Sequence, residues 1–181
     1  MNIAGIAIDT SGLDYNEYEL LNISIVTDQE SHLFKVRYDY PIKYDDVSIA
    51  KNNVNINELD TSDRQSPEDI QRVFHATFSD ILLVGFNIGS FTIPFLEKVI
   101  GREIIRYCFG YQYIELNSIL YYEAMRNNIS YDILRYGISQ EANEEIVKRF
   151  QRKIPYKCMH SAIIALTTFN TLIKQGEEAH V

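Results

Sequence analysis

An apolar run that passes at once into a glycine turn and a helical pattern constrains the fold more than any other segment. Residues 81–84 (Ile-Leu-Leu-Val) lead into Gly85, and Asn87, Gly89 and Ser90 follow. Beyond this turn, apolar residues recur at helical spacing: Phe91, Phe95, Leu96 and Val99. The succession predicts a buried strand, a tight turn and a helix, which is the arrangement that places side chains at the carboxyl end of a sheet.

Three further strands are predicted at the start of the chain. They cover residues 3–9, 20–26 and 33–38, and polar turn segments separate them. Because the connections are short, we expect these strands to be antiparallel neighbours. Pro41 ends the third strand, and a polar, Asn-rich passage follows to about residue 65.

Helices are predicted to fill most of the remaining chain. Ser66-Pro67-Glu68-Asp69 is a helix start, since it offers an N-cap, a proline in the first turn and acids that favour the helix dipole. The later elements are predicted as a strand at 81–86, a helix at about 91–101, a short strand near 106–109, helices at roughly 116–127 and 139–150, and a last helix at about 157–174. We expect one domain, residues 1–176, and a flexible tail at 177–181.

Composition limits the choice of partners. The net charge of −8 among 181 residues argues against a general affinity for nucleic acid, although it leaves a local basic groove open. Cys108 and Cys158 form no metal-ligand pattern and are expected to be reduced thiols. No apolar run approaches the length of a membrane span, and the first residues predict a strand instead of a signal peptide. We therefore expect a cytoplasmic protein without membrane contact.

The Gly85–Leu96 segment resembles a motif of the DEDDh (DnaQ-like, RNase T-like) 3′–5′ exonucleases, which reads roughly Gly-His-Asn-x-x-x-Phe-Asp-x-x-Phe-Leu. Phe86 stands at the His of that motif, and Thr92 stands at its metal-binding Asp. The resemblance covers roughly residues 3–174. It implies the ribonuclease H-like three-layer α/β fold, in which helices flank a mixed central sheet of three antiparallel strands followed by parallel strands.

The other two motifs of the family are altered in the same way. Asp-x-Glu at the end of the first strand reads Asp9-Thr10-Ser11, and a spacing of two puts residues 9 and 11 on one face of an extended segment. His-x-x-x-x-Asp on the final helix corresponds to His160, and Ala165 stands at the Asp. By this resemblance, the vestigial catalytic set is Asp9, Ser11, Thr92, His160 and Ala165.

The family's chemistry needs the acids that are missing. Two divalent ions about 4 Å apart activate a water and stabilise the displacement at phosphorus, and several carboxylates must offset their charge. Only Asp9 remains of four carboxylates, so at most Asp9 would contact a metal, and we expect neither a cofactor nor hydrolysis. An active Mg²⁺- or Mn²⁺-dependent 3′–5′ exonuclease with an unusual ligand set is the alternative, with Asp14 and Glu115 as replacement acids.

A binding role is compatible with the remaining scaffold. The segment 148–157 is basic and partly aromatic, which suits a phosphate backbone and stacked bases, although a solvated helix end explains the charge as well. The candidate nucleic-acid-binding residues are Asn87, Lys148, Arg149, Arg152, Lys153 and Lys157. Asn87 is also expected to cap the turn that follows the fourth strand. The chain has 13 tyrosines, which cannot all face the core, and exposed tyrosine is typical of protein interfaces as well. Single-stranded nucleic acid, a protein partner and a homodimer therefore all remain open.

Overall fold

The computed structural model describes residues 2–55, 59, 63–150 and 157–178, with the backbone only at 141–143, 145–150 and 175–178. Five strands form one sheet: β1 (Asn2–Thr10), β2 (Leu20–Val26), β3 (Ser31–Lys35), β4 (Ile81–Gly85) and β5 (Tyr113–Glu115). Seven helices accompany them: α1 (Asp46–Asn52), α2 (Pro67–Thr77), α3 (Ile93–Ile100), α4 (Arg102–Phe109), α5 (Leu116–Arg126), α6 (Tyr131–Phe150) and α7 (Lys157–Glu178). One π-helical turn, Ile88–Thr92, precedes α3.

The strand order in the sheet is β3-β2-β1-β4-β5. The first three strands pair antiparallel, as predicted from their short connections, whereas β1–β4 and β4–β5 pair parallel. The carboxyl ends of β1, β4 and β5 therefore lie at one edge of the sheet, the edge at which open α/β folds bind their ligands.

Alternation along β1 sorts the helices into two layers. Ala4 and Ile6 face a cluster with side chains of α2, α3 and α4, whereas Ile3 and Ala7 contact the cluster that contains Ala162 of α7. The sheet is thus covered on both faces, and α6 packs on α5 and α7. Among the described residues, no helix has both the length and the apolar character needed to cross a bilayer.

The segment between residues 102 and 115 differs from the prediction. The short strand expected near 106–109 is wrong, because these residues belong to α4, and the strand follows at 113–115. Ile105, Cys108 and Phe109 are buried at helical spacing, and Tyr107 between them is exposed. A run of apolar residues this short fits either type of element. The positive φ of Gly110 ends the helix and allows the chain to enter β5.

Several other boundaries also shift. The polar passage after Pro41 contains α1, which begins where Asp45 accepts from the backbone N–H of Ser48. The helix expected at 139–150 begins at Tyr131. The last helix continues to Glu178, inside the segment predicted as a tail, and residues 179–181 lie outside the described part.

The contact between β1 and α7 leaves no room for a side chain. A Cβ added at Gly5 would overlap the carbonyl oxygen of Ala162 and would lie 3.0 Å from the backbone nitrogen of Leu166. A helix that packs this closely needs a strand residue without a side chain at the point of contact. Gly5 therefore sets the distance between α7 and the sheet.

We expect Gly5→Ala to lower the free energy of unfolding by roughly 1–3 kcal/mol, because the methyl group forces α7 away from β1. Gly137→Ala is the matched control, since Gly137 lies in α6 with open space around it. That change should raise the free energy of unfolding by roughly 0.4–1 kcal/mol. Urea denaturation measures both, and equal effects of the two substitutions would contradict the close approach at Gly5.

Candidate functional site at the carboxyl edge of the sheet

Asp9 lies at the end of β1, on the face that α7 covers. It continues the alternation of Ile3, Gly5 and Ala7 towards that helix. Its side chain is almost completely enclosed, with 1% of its surface exposed. The acid that the family motif retains is therefore a buried group with protein partners.

Three donors surround the Asp9 carboxyl group. Nδ2 of Asn22 donates to its Oδ2 over 3.0 Å. The backbone N–H and the thiol of Cys158, in the first turn of α7, donate to it as well. The first N–H groups of a helix have no partner within the helix, and a carboxylate there is favoured by the helix dipole. Asp9 thus joins the end of β1 to the start of α7.

Burial dominates the electrostatics of this pair. The pKa of Asp9 is raised above its ordinary value of 3.8, because desolvation outweighs the hydrogen bonds from Asn22 and Cys158 and the charge of Lys157. Desolvation also raises the pKa of the Cys158 thiol well above its usual range, and the nearby Asp9 carboxyl adds to this. Burial therefore disfavours the charged form of both groups.

Ser11 is directed towards the start of β2. Its Oγ accepts from the backbone N–H of Glu19 over 2.9 Å, and its own N–H donates to the Glu19 carbonyl. The β1–β2 register shifts between Asp9 and Thr10, so the regular alternation predicted for residues 9 and 11 is interrupted there. Ser11 is fully buried and closes the loop between these strands.

The turn after β4 is held by Glu115 at the end of β5. The Glu115 carboxylate accepts the backbone N–H groups of Asn87 and Ile88 over 2.9 and 2.8 Å. It therefore holds backbone in place and occupies both its oxygens in doing so. Thr92, at the end of the π-helical turn, is buried, and its N–H donates to the Asn87 carbonyl.

Asn87 does not cap this turn with its side chain, contrary to the prediction. Its backbone is left-handed, with φ 55° and ψ 35°. Asparagine tolerates this conformation better than most residues, which explains its place here. Its Oδ1 accepts from Nδ2 of Asn117 on α5 over 2.8 Å, and the residue is exposed at the edge of the sheet.

Asp14 also has a local role. Its Oδ1 accepts from the backbone N–H and from Nδ2 of Asn16, in the exposed loop between β1 and β2. Both acids named as replacement ligands therefore stabilise turns. Within the described residues, no group of three or more His, Cys, Asp or Glu side chains is placed to hold a metal ion. The acids present do not fit the two-metal site that the family's chemistry requires.

The structure separates Ala165 from Asp9. Ala165 is fully buried in an apolar cluster with Val84, Leu116 and Phe169. Cys158 is the α7 residue that contacts Asp9, and it precedes Ala165 by two helical turns, about 10 Å along the axis. Residue spacing alone did not show which α7 residue contacts Asp9, because α7 has no carboxylate at the motif position that would align it with the family motif.

His160 follows two residues after Cys158 and is partly exposed. Burial, followed by the charge of Lys157, lowers its pKa. A histidine in this state is neutral at pH 7. The side chain of Lys157 is exposed, and its Nζ donates to the Lys51 carbonyl at the end of α1. The backbone of Lys148 and Arg149 lies in α6, whereas Arg152 and Lys153 lie outside the described residues.

Comparison with solved structures identifies the fold. A crystal structure of SSB/exonuclease I with the inhibitor CFAM matches at a TM-score of 0.63 and 10% identity, covering 92% of this chain and 40% of that chain. E. coli exonuclease I with a dA16 oligonucleotide matches at 0.63 and 12%, covering 96% and 41%. A product-bound exonuclease I matches at 0.61 and 12%, covering 96% and 43%. The chain thus spans about two fifths of the length of these proteins.

No protein-family model matches the chain, and no curated protein matches its sequence. At 10–12% identity, the solved structures establish the fold and nothing further. That fold is the predicted ribonuclease H-like α/β architecture, with a mixed five-stranded sheet flanked by helices.

We expect Asp9→Asn to be more stable than the wild type at neutral pH. A raised native pKa means that the neutral form stabilises the fold below pH 3.8, and that this contribution is lost as the pH rises through the native pKa. Asparagine never ionises, and its amide can donate to the Asn22 Oδ1, which is buried without a hydrogen-bond partner among the described residues. Denaturation between pH 3 and 7 measures the difference.

Asp9→Ala is the control for the hydrogen bonds. It leaves the Cys158 N–H and the Asn22 amide without an acceptor, which should cost roughly 1–3 kcal/mol. An Asp9→Asn protein whose stability relative to the wild type falls as the pH rises would contradict a raised pKa.

Metal binding should depend on which α7 residue receives the acid. We expect Ser11→Glu, Thr92→Asp and Cys158→Asp together to create Mg²⁺ binding detectable by calorimetry, because position 158 contacts Asp9. The same variant with Ala165→Asp in place of Cys158→Asp should lose stability, since it buries a carboxylate among apolar side chains. If only the variant with Ala165→Asp binds Mg²⁺, position 165 and not position 158 would be the metal-binding position of α7.

Proposed function

We propose that this chain is an exonuclease-fold domain that binds single-stranded nucleic acid without hydrolysing it. The observation that supports the absence of hydrolysis is that the Asp9 carboxyl is already hydrogen-bonded within the fold. The one acid retained at the motif positions is buried and hydrogen-bonded to Asn22 and to the first turn of α7. A carboxylate held in this way serves the fold and leaves little capacity for a pair of divalent ions.

The other motif positions support the absence of hydrolysis. Ser11 and Thr92 are neutral and buried, and their described hydrogen bonds belong to loop closure and to the π-helical turn. Electrostatic stabilisation of a phosphoryl transition state would have to come from other groups. Glu115 and Asp14, the acids predicted as possible replacements, accept hydrogen bonds from backbone and side-chain amides of turns instead.

Nucleic acid is the favoured ligand for two reasons. Proteins of the same fold have been solved with single-stranded oligonucleotides, among them the dA16 complex. The segment 148–157 concentrates five basic residues in an otherwise acidic chain, and it leads directly into the first turn of α7 beside Asp9. Lysine and arginine are the residues that neutralise a phosphate backbone.

A protein partner is the second candidate, and a specific surface favours it. Several large apolar side chains on α5, on α6 and between them are more than two fifths exposed: Tyr121, Tyr122, Met125, Ile129, Ile133 and Tyr136. Exposed aromatic and aliphatic groups of this density are typical of interaction surfaces. This surface does not depend on the basic segment.

End-labelled single-stranded DNA and RNA test the catalytic part of the proposal. We expect no shortening of either strand with Mg²⁺ or Mn²⁺, and we expect binding to persist in EDTA. Shortening that Asp9→Ala abolishes would overturn the proposal in favour of an active exonuclease with an unusual ligand set.

The salt dependence of binding tests the basic segment. Removing one cation that neutralises a phosphate should reduce the salt slope for single strands by about 0.7. We expect Arg152→Glu with Lys153→Glu, and Lys157→Glu alone, to weaken binding and to flatten the slope. Lys174→Glu is the control, because Lys174 is an exposed lysine near the other end of α7. No binding by the wild type at any salt concentration would leave the protein partner as the better candidate.

A further inference from the structure

Arg135 on α6 is an exposed cation without a carboxylate partner among the described residues. Five other arginines in the described part of the chain pair with an acid: Arg37, Arg72, Arg102, Arg106 and Arg126. Arg64, which is buried, donates to backbone carbonyls. In a chain with a net charge of −8, an arginine left outside this pairing is available to a ligand.

Aromatic rings hold Arg135 in place. Its guanidinium carbon lies 5.3 Å from the ring centre of Phe86, directly after β4, and 5.9 Å from that of Tyr131. The Tyr131 ring stacks on Tyr121 of α5, with centres 4.0 Å apart and planes 12° apart. A guanidinium over aromatic faces is favoured electrostatically and keeps its planar group partly desolvated and ordered.

Hydrogen bonds tie these rings to the turn after β4. The Tyr131 hydroxyl donates to Oδ1 of Asn117 over 2.7 Å, and Nδ2 of Asn117 donates to Oδ1 of Asn87 over 2.8 Å. Glu115 fixes the backbone of Asn87 in turn. Phe86, Tyr121, Tyr131 and Arg135, here called the aromatic platform, are therefore positioned before any ligand arrives.

We propose that the aromatic platform binds an unpaired nucleobase, which stacks on the outer face of the Arg135 guanidinium. This inference rests on the proposed function and names a subsite for it. Stacking on arginine planes and aromatic rings is the usual means by which proteins hold the bases of single strands, and it tolerates any sequence. The platform lies at the carboxyl edge of the sheet, because Phe86 directly follows β4 and Tyr131 is linked through Asn117 to the exposed Asn87.

The chemistry of the platform favours a base over a phosphate alone. A site for a phosphate needs several converging donors or positive charges, whereas Arg135 is one cation among rings. Asp132 is also exposed in the first turn of the same helix, and its charge opposes a second anion nearby. A neutral aromatic base gains stacking energy from the guanidinium without this repulsion.

Fluorescence anisotropy with two labelled oligomers of equal length, oligothymidylate and its abasic counterpart, tests the platform. We expect Arg135→Ala to weaken oligothymidylate binding roughly five- to hundredfold, the range for the loss of one stacked base, and to weaken abasic binding much less. Arg135→Lys keeps the charge and loses the planar group, so it should show most of the same base-dependent loss. Tyr131→Leu should do likewise.

Arg126→Ala is the matched control, because it removes one exposed arginine from the neighbouring helix α5, where Glu123 already pairs with it. Thermal melts of all variants establish that they fold. If Arg135→Ala and Arg126→Ala behave alike, or if Arg135→Ala weakens both oligomers equally, the platform is overturned while the proposed function stands. Wild-type protein that binds neither oligomer would overturn both, and would direct attention to a protein partner for this surface.

Discussion

The contact of α7 with β1 at Gly5 is the constraint on which the rest of the structure depends. A helix this close to the sheet brings the first turn of α7 against the last residues of β1. The N–H groups of that turn need acceptors, and the buried end of β1 is closed to the solvent that would otherwise provide them. Asp9 supplies the acceptor, so the same carboxylate that the family motif uses for a metal ion has a separate reason to be there.

Asp9 shows how an acid at a motif position can stabilise the fold through its own hydrogen bonds. Where acids hold metal ions, removing their partners leaves repulsion or desolvation uncompensated. Here the partners are an amide, a thiol and a backbone N–H, all neutral donors, and none of them requires a cation. The neutral Ser11 and Thr92 likewise take part in hydrogen bonds that hold the local structure. These hydrogen bonds together fix the geometry of the carboxyl edge.

The sequence predicted the parts of the fold in which pattern and local chemistry agree. The antiparallel strands, the capped start at Ser66 and the strand–turn–helix around Gly85 follow from periodicity and turn residues. Residues 106–109 were predicted wrongly, because so short a run of apolar residues fits a strand or a helix. Packing against α2 and β4 selects the helix. The place of Cys158 against Asp9 depends on how α7 lies on the sheet, which no local pattern encodes. The partners of Glu115 were hidden for the same reason: they lie 27 and 28 residues away.

A binding site without catalysis has different electrostatic needs from an enzyme. A two-metal exonuclease needs several acids to hold its metal ions, and it must also bind an anionic strand beside those acids. The metal ions offset the negative charge of both. Without metals, acids at the carboxyl edge repel an anionic strand, so in the proposed binding role the neutral Ser11 and Thr92 reduce this repulsion. In the proposed binding mode, stacking on Arg135 adds affinity that does not depend on metal ions or on a strongly basic surface. In an acidic protein, that is the form of single-strand recognition that involves the least electrostatic repulsion.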